Sequence, residues 1–482
     1  MPRKQRDYGP VTVYQTSAPA VRTPSRWWRD AIGVSVATTV LIVVALWVHG
    51  GGLQDLLPNG PASAGPMLSS LGRLTGLVSA DLLLLLVLLM ARIPVVERLY
   101  GRGTLARWHR LVGFTSVNLM LAHIVLITLG YAAAAHTGTL AELWTLIATY
   151  PGMLLALLAT AALILVAVTS MRAARGRLRY ESWHLLHLYA YLGVGLAIPH
   201  ELWTGTDFLS SPAATAYWWT MYALSMAAIL GYRFGLPAYR TLRHQMRVEW
   251  VVAEGPGVWS VWLTGRALDR LPVRAGQFFN WRFLTGRGWT RAHPYSLSAA
   301  PQPGRLRITV KSLGDDSALV QRLRPGTRVL VEGPYGNLTA ERRRRSRVTM
   351  IASGIGVTPL RALLEELPYR PGHATLIYRA RTGADFTFQQ ELEELAKRRG
   401  IRLFLLPGKR ADWATLNGPN ASEQWAPAGY GDGIALLHRL VPDLAWHDVY
   451  ICGPQGWMTS VSRAARALGV ADDQLHTEEF TW

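Results

Sequence analysis

The sequence predicts a membrane protein with three folded parts: a six-helix, all-α transmembrane bundle, an antiparallel β-barrel, and an α/β domain with a parallel sheet. Six long apolar stretches fill the first half of the 482 residues, short β-type runs follow, and strand-like and helix-like runs alternate at the end. We place a flexible basic tail at 1–30, the bundle at 31–240, the barrel at 241–343 and the α/β domain at 344–482.

Net charge and hydrophobicity together indicate a membrane protein. The chain carries a formal charge of +19, and half of its residues are hydrophobic. Such a charge can indicate nucleic-acid binding, but here the arginines cluster beside apolar stretches, as expected from membrane topology. The run Arg342–Arg345 is the exception and is interpreted as a solvated loop. The single cysteine, Cys452, excludes a disulfide framework and a four-cysteine iron–sulfur cluster.

Each apolar stretch approaches or exceeds the ~20 residues that span a bilayer. The predicted spans are 31–48, 74–91, 108–131, 151–171, 183–201 and 215–234. Three intervening loops, near 49–72, 132–150 and 202–214, lack Lys and Arg, whereas the tail and the other loops are rich in Arg. The positive-inside rule therefore predicts six spans in the plasma membrane with both termini in the cytoplasm.

Four histidines lie in two of these spans. His109 and His123 are fourteen residues apart and share a helix face, whereas His187 and His200 are thirteen apart with a poor ideal angular offset. Pro199 could correct this offset by distorting the turn, and His184 is an alternative inner ligand. The predicted pairs are His109 with His187 and His123 with His200. Each pair would hold the iron of one of two b-type haems.

Two charged residues near the second span have open roles. Arg73 is the only basic residue on the predicted outer side. It either snorkels to lipid headgroups or contacts the outer haem or the electron acceptor as a catalytic residue. Asp81 lies deeper and is expected to hydrogen-bond a neighbouring helix or to belong to a proton path.

The segment Arg291–Ser298 has the residues that a flavin requires. Tyr295 offers an aromatic face and Ser296 a hydroxyl, while Arg291 and His293 could hold the ribityl chain or the phosphates. An edge strand with an ordinary turn is the alternative interpretation.

A second candidate segment begins at Lys311, thirteen residues after Ser298, and leads into a predicted helix. It contains Lys311, Gly314 and Ser317. Gly314 permits close backbone approach, and Ser317 with the helix N-terminus could take a pyrophosphate. A plain turn and helix cap is the alternative.

A glycine pair in a strand–turn–helix context indicates a nucleotide site. Gly354 and Gly356 follow a buried strand, with Thr358 expected as N-cap and Pro359 at the first helical position. Arg379 and Arg381 follow the next strand where an acidic residue would favour NADH, so they favour the 2′-phosphate of NADPH. Solvated surface charge is the alternative for these arginines.

With these motifs, residues 31–482 resemble the NADPH oxidase and ferric reductase superfamily. The histidine spacings fit the haem motif of that superfamily. The segment His293–Ser296, which includes Pro294, fits its flavin motif, and Gly354–Pro359 fits its nicotinamide motif. The resemblance implies that Cys452, Gly453 and Pro454 form a turn beside the nicotinamide. It also implies a terminal aromatic near the flavin, for which Phe480 and Trp482 both qualify.

The resemblance implies a transmembrane oxidoreductase that moves electrons from cytoplasmic NADPH through FAD and two haems to an acceptor outside the cytoplasm. Dioxygen, giving superoxide, and a ferric chelate are the competing acceptors. An electron-donating subunit for a periplasmic or membrane partner protein is a further alternative, and a pure haem-binding scaffold is opposed by the nucleotide motifs. The lipid bilayer is the expected partner besides the electron acceptor, and binding of nucleic acid is not expected. Whether the chain forms a homo-oligomer is left open.

Overall fold

The structure is a computed structural model that describes residues 26–57, 64–178, 180–285, 291–312, 317, 319–409 and 425–478. The described chain divides between Gly235 and Leu236 into two compact units. We call them the membrane unit and the reductase unit.

The membrane unit is helical throughout its described length. Its helices are α1 (Arg26–His49), α2 (Ala64–Met90), α3 (Pro94–Tyr100), α4 (Arg102–Ala135), α5 (Thr139–Thr149), α6 (Met153–Ser170), α7 (Arg172–Arg175), α8 (Tyr180–Trp203) and α9 (Pro212–Ala228), and a π-helical segment (Ile229–Gly235) continues α9. The start of α9 follows its local sequence, since Ser211 accepts a hydrogen bond from the Ala214 amide and Pro212 occupies the first turn.

Four of these helices are long and apolar enough to cross a membrane: Trp27–His49, Ala64–Met90, Gly103–Ala135 and Met153–Ser170. The predicted spans at 183–201 and 215–234 are not among them, so six spans stay a prediction. Two features account for the difference. Helix α8 carries Glu181, three histidines and Glu201, which lower its hydropathy, and α9 ends at Ala228 before the π-helical segment. Helix α5 lies near 132–150, where the sequence predicts a loop between two spans.

Glycines let the long helices approach closely. A Cβ atom on Gly72 of α2 would lie 2.8 Å from the Ile127 side chain of α4, and one on Gly130 of α4 would lie 2.3 Å from the Ser69 hydroxyl of α2. Small residues at such contacts are the usual basis of helix packing in bilayers. Large apolar side chains such as Phe114, Leu154 and Leu185 remain exposed, as lipid-facing positions require.

The first part of the reductase unit begins with α10 (Leu236–His244) and continues in antiparallel strands. These are β1 (Arg247–Gly255), β2 (Val258–Thr264), β3 (Phe278–Phe283), β4 (His293–Ser296), β5 (Arg305–Lys311) and β6 (Val329–Tyr335). They form two three-stranded sheets, β1-β2-β5 and β4-β3-β6, over one apolar core. Isolated bridges join their edges at Arg247–Arg328 and Leu297–Ile308. In the described residues this is a pair of sheets, and the predicted closed barrel is not confirmed.

The second part is a parallel α/β layer structure, as the sequence predicts. Its elements are β7 (Arg347–Ser353), α11 (Val357–Glu366), β8 (Ala374–Ala380), α12 (Gln389–Arg399), β9 (Ile401–Pro407), α13 (Gly433–Leu440), β10 (His447–Cys452), α14 (Gln455–Ala467) and β11 (Leu475–Glu478). The strand order is β11-β10-β7-β8-β9, and every pairing is parallel. The order reverses between β7 and β10, and a crevice for ligands forms where such strands end.

One buried histidine ties β10 to β7. The Nδ1 atom of His447 lies 2.7 Å from the Thr349 hydroxyl. Its Nε2 atom lies 3.2 Å from the Asp443 carboxylate but without hydrogen-bond geometry. Burial, with the nearby charges of Arg347 and Arg402, lowers the pKa of His447 to about 4. Folding therefore favours the neutral ring, because the folded pKa lies below the usual value of 6.5.

We predict an acid-sensitive contribution of His447 to stability. It is fully present above pH 6.5 and is lost as the pH falls towards 4, because the unfolded chain then takes up the proton first. The loss is about 3 kcal/mol in the free energy of unfolding. Urea unfolding of wild type and His447→Asn at pH 7 and pH 4.5 measures it. The stability difference between the two proteins should shrink or reverse at the lower pH, and an equal difference at both would contradict the assignment.

Candidate functional site

The four histidines of the membrane unit form two ring pairs between α4 and α8. The ring centres of His109 and His187 are 5.9 Å apart at an interplanar angle of 59°, and those of His123 and His200 are 6.4 Å apart at 54°. These are the two pairs that the sequence predicts. Pro199 lies within α8, and the thirteen-residue offset does not prevent His187 and His200 from both meeting α4.

The separations fit a metal ion between the rings of each pair. Metal–imidazole bonds are about 2.0–2.1 Å long, and with about 1.2 Å from nitrogen to ring centre they would place two ring centres roughly 6.5 Å apart. The Nδ1 atom of His123 lies 2.8 Å from the Gly72 carbonyl oxygen, and that of His187 lies 3.3 Å from the Ser170 hydroxyl. A hydrogen bond at Nδ1 leaves Nε2 as the ring nitrogen that is available to a metal. The Nδ1 atoms of His109 and His200 are buried without a hydrogen-bond partner among the described residues.

Two glycines provide the space for the second pair. A Cβ atom on Gly76 would lie 2.5 Å from the His123 ring, and one on Gly152 would lie 2.9 Å from the His200 backbone nitrogen. The sequence interpretation missed both residues. The four-residue spacing of Gly72 and Gly76 on one helix was the available signal, since it marks a close helix contact.

Arg73 lies beside Gly72 and is held by two acids. Its guanidinium is 2.9 Å from the Asp55 carboxylate and 3.6 Å from that of Asp207. Burial raises the pKa of Asp207, an effect that Arg73 opposes and Asp55 reinforces. The only basic residue on the predicted outer side is therefore paired with Asp55 and Asp207.

Two further carboxyl groups of the bundle have hydrogen-bond partners. Asp81 accepts hydrogen bonds from Thr39 at 3.0 Å and Tyr217 at 2.5 Å, so the expected bond to a neighbouring helix is confirmed. Glu201 of α8 accepts a short hydrogen bond from Tyr222 of α9.

In the reductase unit, β4 presents the candidate flavin residues. The rings of His293 and Tyr295 are parallel, with centres 5.8 Å apart. The Trp281 indole donates a 2.9 Å hydrogen bond to the Tyr295 carbonyl oxygen and fixes the strand. The Ser296 hydroxyl is buried and has no hydrogen-bond partner among the described residues. A buried hydroxyl without a partner fits a site where a bound ligand supplies one.

The other candidate flavin residues are only partly placed. Pro294 pairs with Asn280 across the sheet, and Arg291 precedes β4. Lys311 ends β5 and pairs with Val258 of β2. Ser317 is among the described residues, but residues 316 and 318 on either side of it are not. Gly314 lies outside the described residues.

The candidate nucleotide loops meet at the reversal point of the parallel sheet. Gly354 follows β7 with a φ of +57°, and a Cβ atom on Gly356 would lie 2.3 Å from the Cys452 carbonyl oxygen at the end of β10. The loops after β7 and β10 are therefore in contact, and a larger residue than glycine would separate them.

The predicted helix start after this loop is wrong by two residues. Helix α11 begins at Val357 with Gly356 as its N-cap, which puts Thr358 and Pro359 inside the first turn. The Thr358 hydroxyl donates a 2.9 Å hydrogen bond to the Ile355 carbonyl oxygen instead of capping the helix. The difference arises because Gly354–Gly356 form a 3₁₀ turn that continues directly into α11.

The remaining predicted residues surround these loops. Arg379, near the end of β8, is in register with Ser353, directly before Gly354, and Arg381 follows β8 and is exposed. Gly453 and Pro454 continue from Cys452, whose thiol lies 3.9 Å from the Glu478 carbonyl oxygen. Burial raises the pKa of the Cys452 thiol well above its ordinary value, so Cys452 is a neutral thiol rather than a nucleophile. Phe480 and Trp482 lie outside the described residues.

Comparison with known proteins divides the chain in the same way. Residues 75–198 match the family described as ferric reductase like transmembrane component, and residues 350–463 match the oxidoreductase NAD-binding domain. These matches confirm the predicted resemblance for both segments.

Several reductases are similar to part of the chain. The glycine betaine monooxygenase reductase subunit of Chromohalobacter salexigens is 28% identical over 249 residues, 49% of this chain and 64% of that protein. The ferredoxin reductase component of 3-ketosteroid-9-alpha-monooxygenase of Mycolicibacterium smegmatis is 32% identical over 219 residues, 44% of this chain and 57% of that protein. The chain thus spans less than two thirds of these relatives. A solved structure of the FAD/NAD binding domain of nitric oxide dioxygenase from Vibrio cholerae aligns with 25% identity and a TM-score of 0.38. The alignment covers 49% of this chain and 98% of that domain's chain.

We predict that Gly356→Ala weakens nucleotide binding. The added methyl group would force the loop after β7 away from the Cys452 carbonyl oxygen, and such overpacking costs about 1–3 kcal/mol. The dissociation constant for NADPH should rise on the order of tenfold. Gly456→Ala is the matched control, because nothing lies within 4 Å of its added Cβ atom. Equal affinity of the two variants, measured by titration calorimetry, would show that the loop contact does not shape the site.

Proposed function

Because the chain is an oxidoreductase with a ferric-reductase-like membrane domain and an FAD/NAD-type reductase module, we propose that it moves electrons from NADPH through FAD and two b-type haems to an acceptor across the membrane. When bound, FAD accepts a hydride and releases its electrons singly, and the haem irons pass them on. The protein contributes binding, orientation and the exclusion of water.

The observation that carries this proposal is the spacing of the two histidine pairs. In the proposed function, His109 and His187 hold one haem, and His123 and His200 hold the other. The Gly72 carbonyl oxygen orients His123, and Gly76 leaves room for its ring. Along the continuous helix α4 the two positions are about 21 Å apart, which suits a chain of carriers through a bilayer of ~30 Å hydrocarbon thickness.

The reductase unit supplies the donor side of the proposal. Tyr295 would stack on the flavin and Ser296 would donate a hydrogen bond to it. Its ribityl and phosphate groups would be held by Arg291, His293, Lys311 and Ser317. The amides after Gly354 meet the phosphates of NADPH at the start of α11. Arg379 and Arg381 would bind the 2′-phosphate, and Cys452, Gly453 and Pro454 would lie beside the nicotinamide. For Phe480 and Trp482, which lie outside the described residues, the proposed role is that of the terminal aromatic near the flavin.

We further propose six spans in the plasma membrane with both termini in the cytoplasm. The support is the alternation of arginine-rich and arginine-free loops. Helices α8 and α9 then span as well, and their polar groups have partners inside the bundle: His200 of α8 faces His123 of α4, and Tyr217 of α9 donates a hydrogen bond to Asp81 of α2.

For the acceptor, we propose dioxygen, reduced to superoxide near His200 with Arg73 as the nearby cation. A second candidate is a ferric chelate, because Asp55 and Asp207 together outweigh the charge of Arg73 and would attract a cation. Transfer of electrons to a partner protein uses the same end of the bundle.

Loss of the second histidine pair tests the haem assignment. His123→Ala and His200→Ala should each lower the haem content from about two to about one per chain. Acceptor reduction should then stop while NADPH still reduces the flavin, because the two sites are separate. Gly76→Ala should act in the same direction by displacing the His123 ring. Gly113→Ala is its control, since its Cβ atom would touch only Leu86 at 3.7 Å.

Haem is quantified by the pyridine haemochrome assay and flavin reduction by anaerobic absorbance. Two haems per chain in both histidine variants, or unchanged acceptor reduction, would remove the basis of the proposal.

Nucleotide preference tests the arginine assignment. Replacing Arg379 and Arg381 together with Ala should raise the Michaelis constant for NADPH about 10–100-fold, because a charge-assisted hydrogen bond contributes about 1.5–3 kcal/mol. The value for NADH should change little. Arg370→Ala, an exposed arginine before β8, is the control. Wild type that prefers NADH would overturn the assignment.

A further inference from the structure

Two buried arginines and a partly exposed glutamate lie where the two parts of the reductase unit meet. Arg307 lies on β5 in the first part, and Arg361 on α11 and Glu391 on α12 lie in the second. Both guanidinium side chains are only 4% exposed. We call these three residues the clamp. None of them belongs to the flavin or nucleotide motifs that the sequence indicates.

Glu391 bridges the two arginines. One of its carboxylate oxygens is 3.1 Å from the Arg307 guanidinium, and the other makes a short ion pair with Arg361. Arg361 also pairs with Glu365 at 2.6 Å, so two positive charges face two negative ones. Burial alone would raise the pKa of Glu391, yet Arg361 and Arg307 hold it below its ordinary value. The carboxylate is therefore ionised at neutral pH.

The two arginines converge on one backbone carbonyl. The Ser298 carbonyl oxygen accepts hydrogen bonds from Arg307 at 2.6 Å and from Arg361 at 3.0 Å. The Ser298 hydroxyl accepts from Arg307 at 3.1 Å and from Thr309 at 2.7 Å, and the Ser298 amide donates to the Arg307 carbonyl oxygen at 2.8 Å. Every polar group of Ser298 is therefore bound.

Ser298 links both candidate sites. It lies two residues after Ser296 and three after Tyr295, on the segment that continues β4. Arg361, which holds it, is on the helix that begins directly after Gly356. Two residues further on, the Ala300 amide donates a 2.8 Å hydrogen bond to Glu365 of the same helix. The flavin strand and the nucleotide helix are thus fastened to each other through groups with little access to water.

We propose that Arg307, Arg361 and Glu391 are positioning residues that fix the distance between the flavin strand and the nucleotide-binding helix for hydride transfer. The inference rests on the proposed function, in which a hydride leaves NADPH with its electron pair, giving NADP⁺, and is accepted by FAD. Hydride transfer depends steeply on the alignment of donor and acceptor, and a 1 Å displacement can cost on the order of 100-fold in rate. A planar guanidinium fork suits this role because it holds several oxygens in one fixed geometry.

The test compares Glu391→Gln with Glu366→Gln in the full-length protein carrying FAD. Glu366 is the control, because it lies on α11, the helix that carries Arg361, and binds the first part of the unit through the Ala275 amide at 3.0 Å, away from Ser298. In Glu391→Gln, two buried guanidiniums lose their shared carboxylate. Anaerobic stopped-flow reduction of FAD by NADPH should slow about 10–100-fold at saturation, with the NADPH dissociation constant within about twofold of wild type. Glu391→Asp, which keeps the charge, should recover part of the rate.

Hydrogen exchange without NADPH gives a second readout. The amides of residues 298 and 300 should exchange faster in Glu391→Gln than in the control. If Glu391→Gln lowers only the melting temperature and reduces FAD as fast as Glu366→Gln, the positioning role is overturned. If Glu391→Gln does not retain FAD, Glu391→Asp carries the rate comparison, and a wild-type rate there overturns the inference. A wild type whose FAD is not reduced by NADPH would contradict the proposed function instead, and the exchange data would still test the clamp.

Discussion

Polar groups removed from water need partners, and this requirement organises both units of the protein. In the membrane unit, four imidazoles lie in an apolar bundle, where an unpaired polar group is costly. They are arranged as two facing pairs, and the Gly72 carbonyl oxygen satisfies one of the outward nitrogens. The close contact of α2 with α4 through glycines places that carbonyl beside His123. Helix packing and the histidine geometry therefore depend on each other.

The reductase unit meets the same requirement with charges. Its two parts are joined by ion pairs around Ser298. Single hydrogen bonds also join them, such as the one that the Asn337 amide donates to the Glu478 carboxylate. Replacing such ion pairs with apolar residues often preserves stability, so a buried charge network is weak evidence for a role in stability alone. Its directional hydrogen bonds instead specify one arrangement of the flavin strand and the nucleotide helix.

The sequence predicted elements whose signals are local. The strand runs at 348–352, 374–378, 401–405 and 448–452 all lie within observed parallel strands, because a buried strand flanked by glycine turns has a clear pattern. The histidine pairing followed from spacing and predicted topology. The start of α11 was misplaced because a 3₁₀ turn and a helix have similar sequence preferences.

Contacts between distant residues were beyond sequence reasoning. Arg73 gave no sign of its pairing with Asp55 and Asp207, and Ser298 gave none of its bonds to Arg307 and Arg361. Such contacts join residues far apart in the chain and leave no periodic pattern. Spans containing several polar residues, such as α8, were also uncertain for a physical reason, since hydropathy counts polar side chains without knowing their partners.

The central claim is that electrons cross the membrane through this chain. Purified protein, loaded with FAD and haem and reconstituted into liposomes that contain a trapped, impermeant acceptor such as ferricyanide, tests it directly when NADPH is added outside. Molecules with the reductase unit outward should reduce the trapped acceptor, at a rate that falls to background in His123→Ala liposomes. NADPH oxidation without reduction of the trapped acceptor, or equal reduction in His123→Ala, would contradict the account.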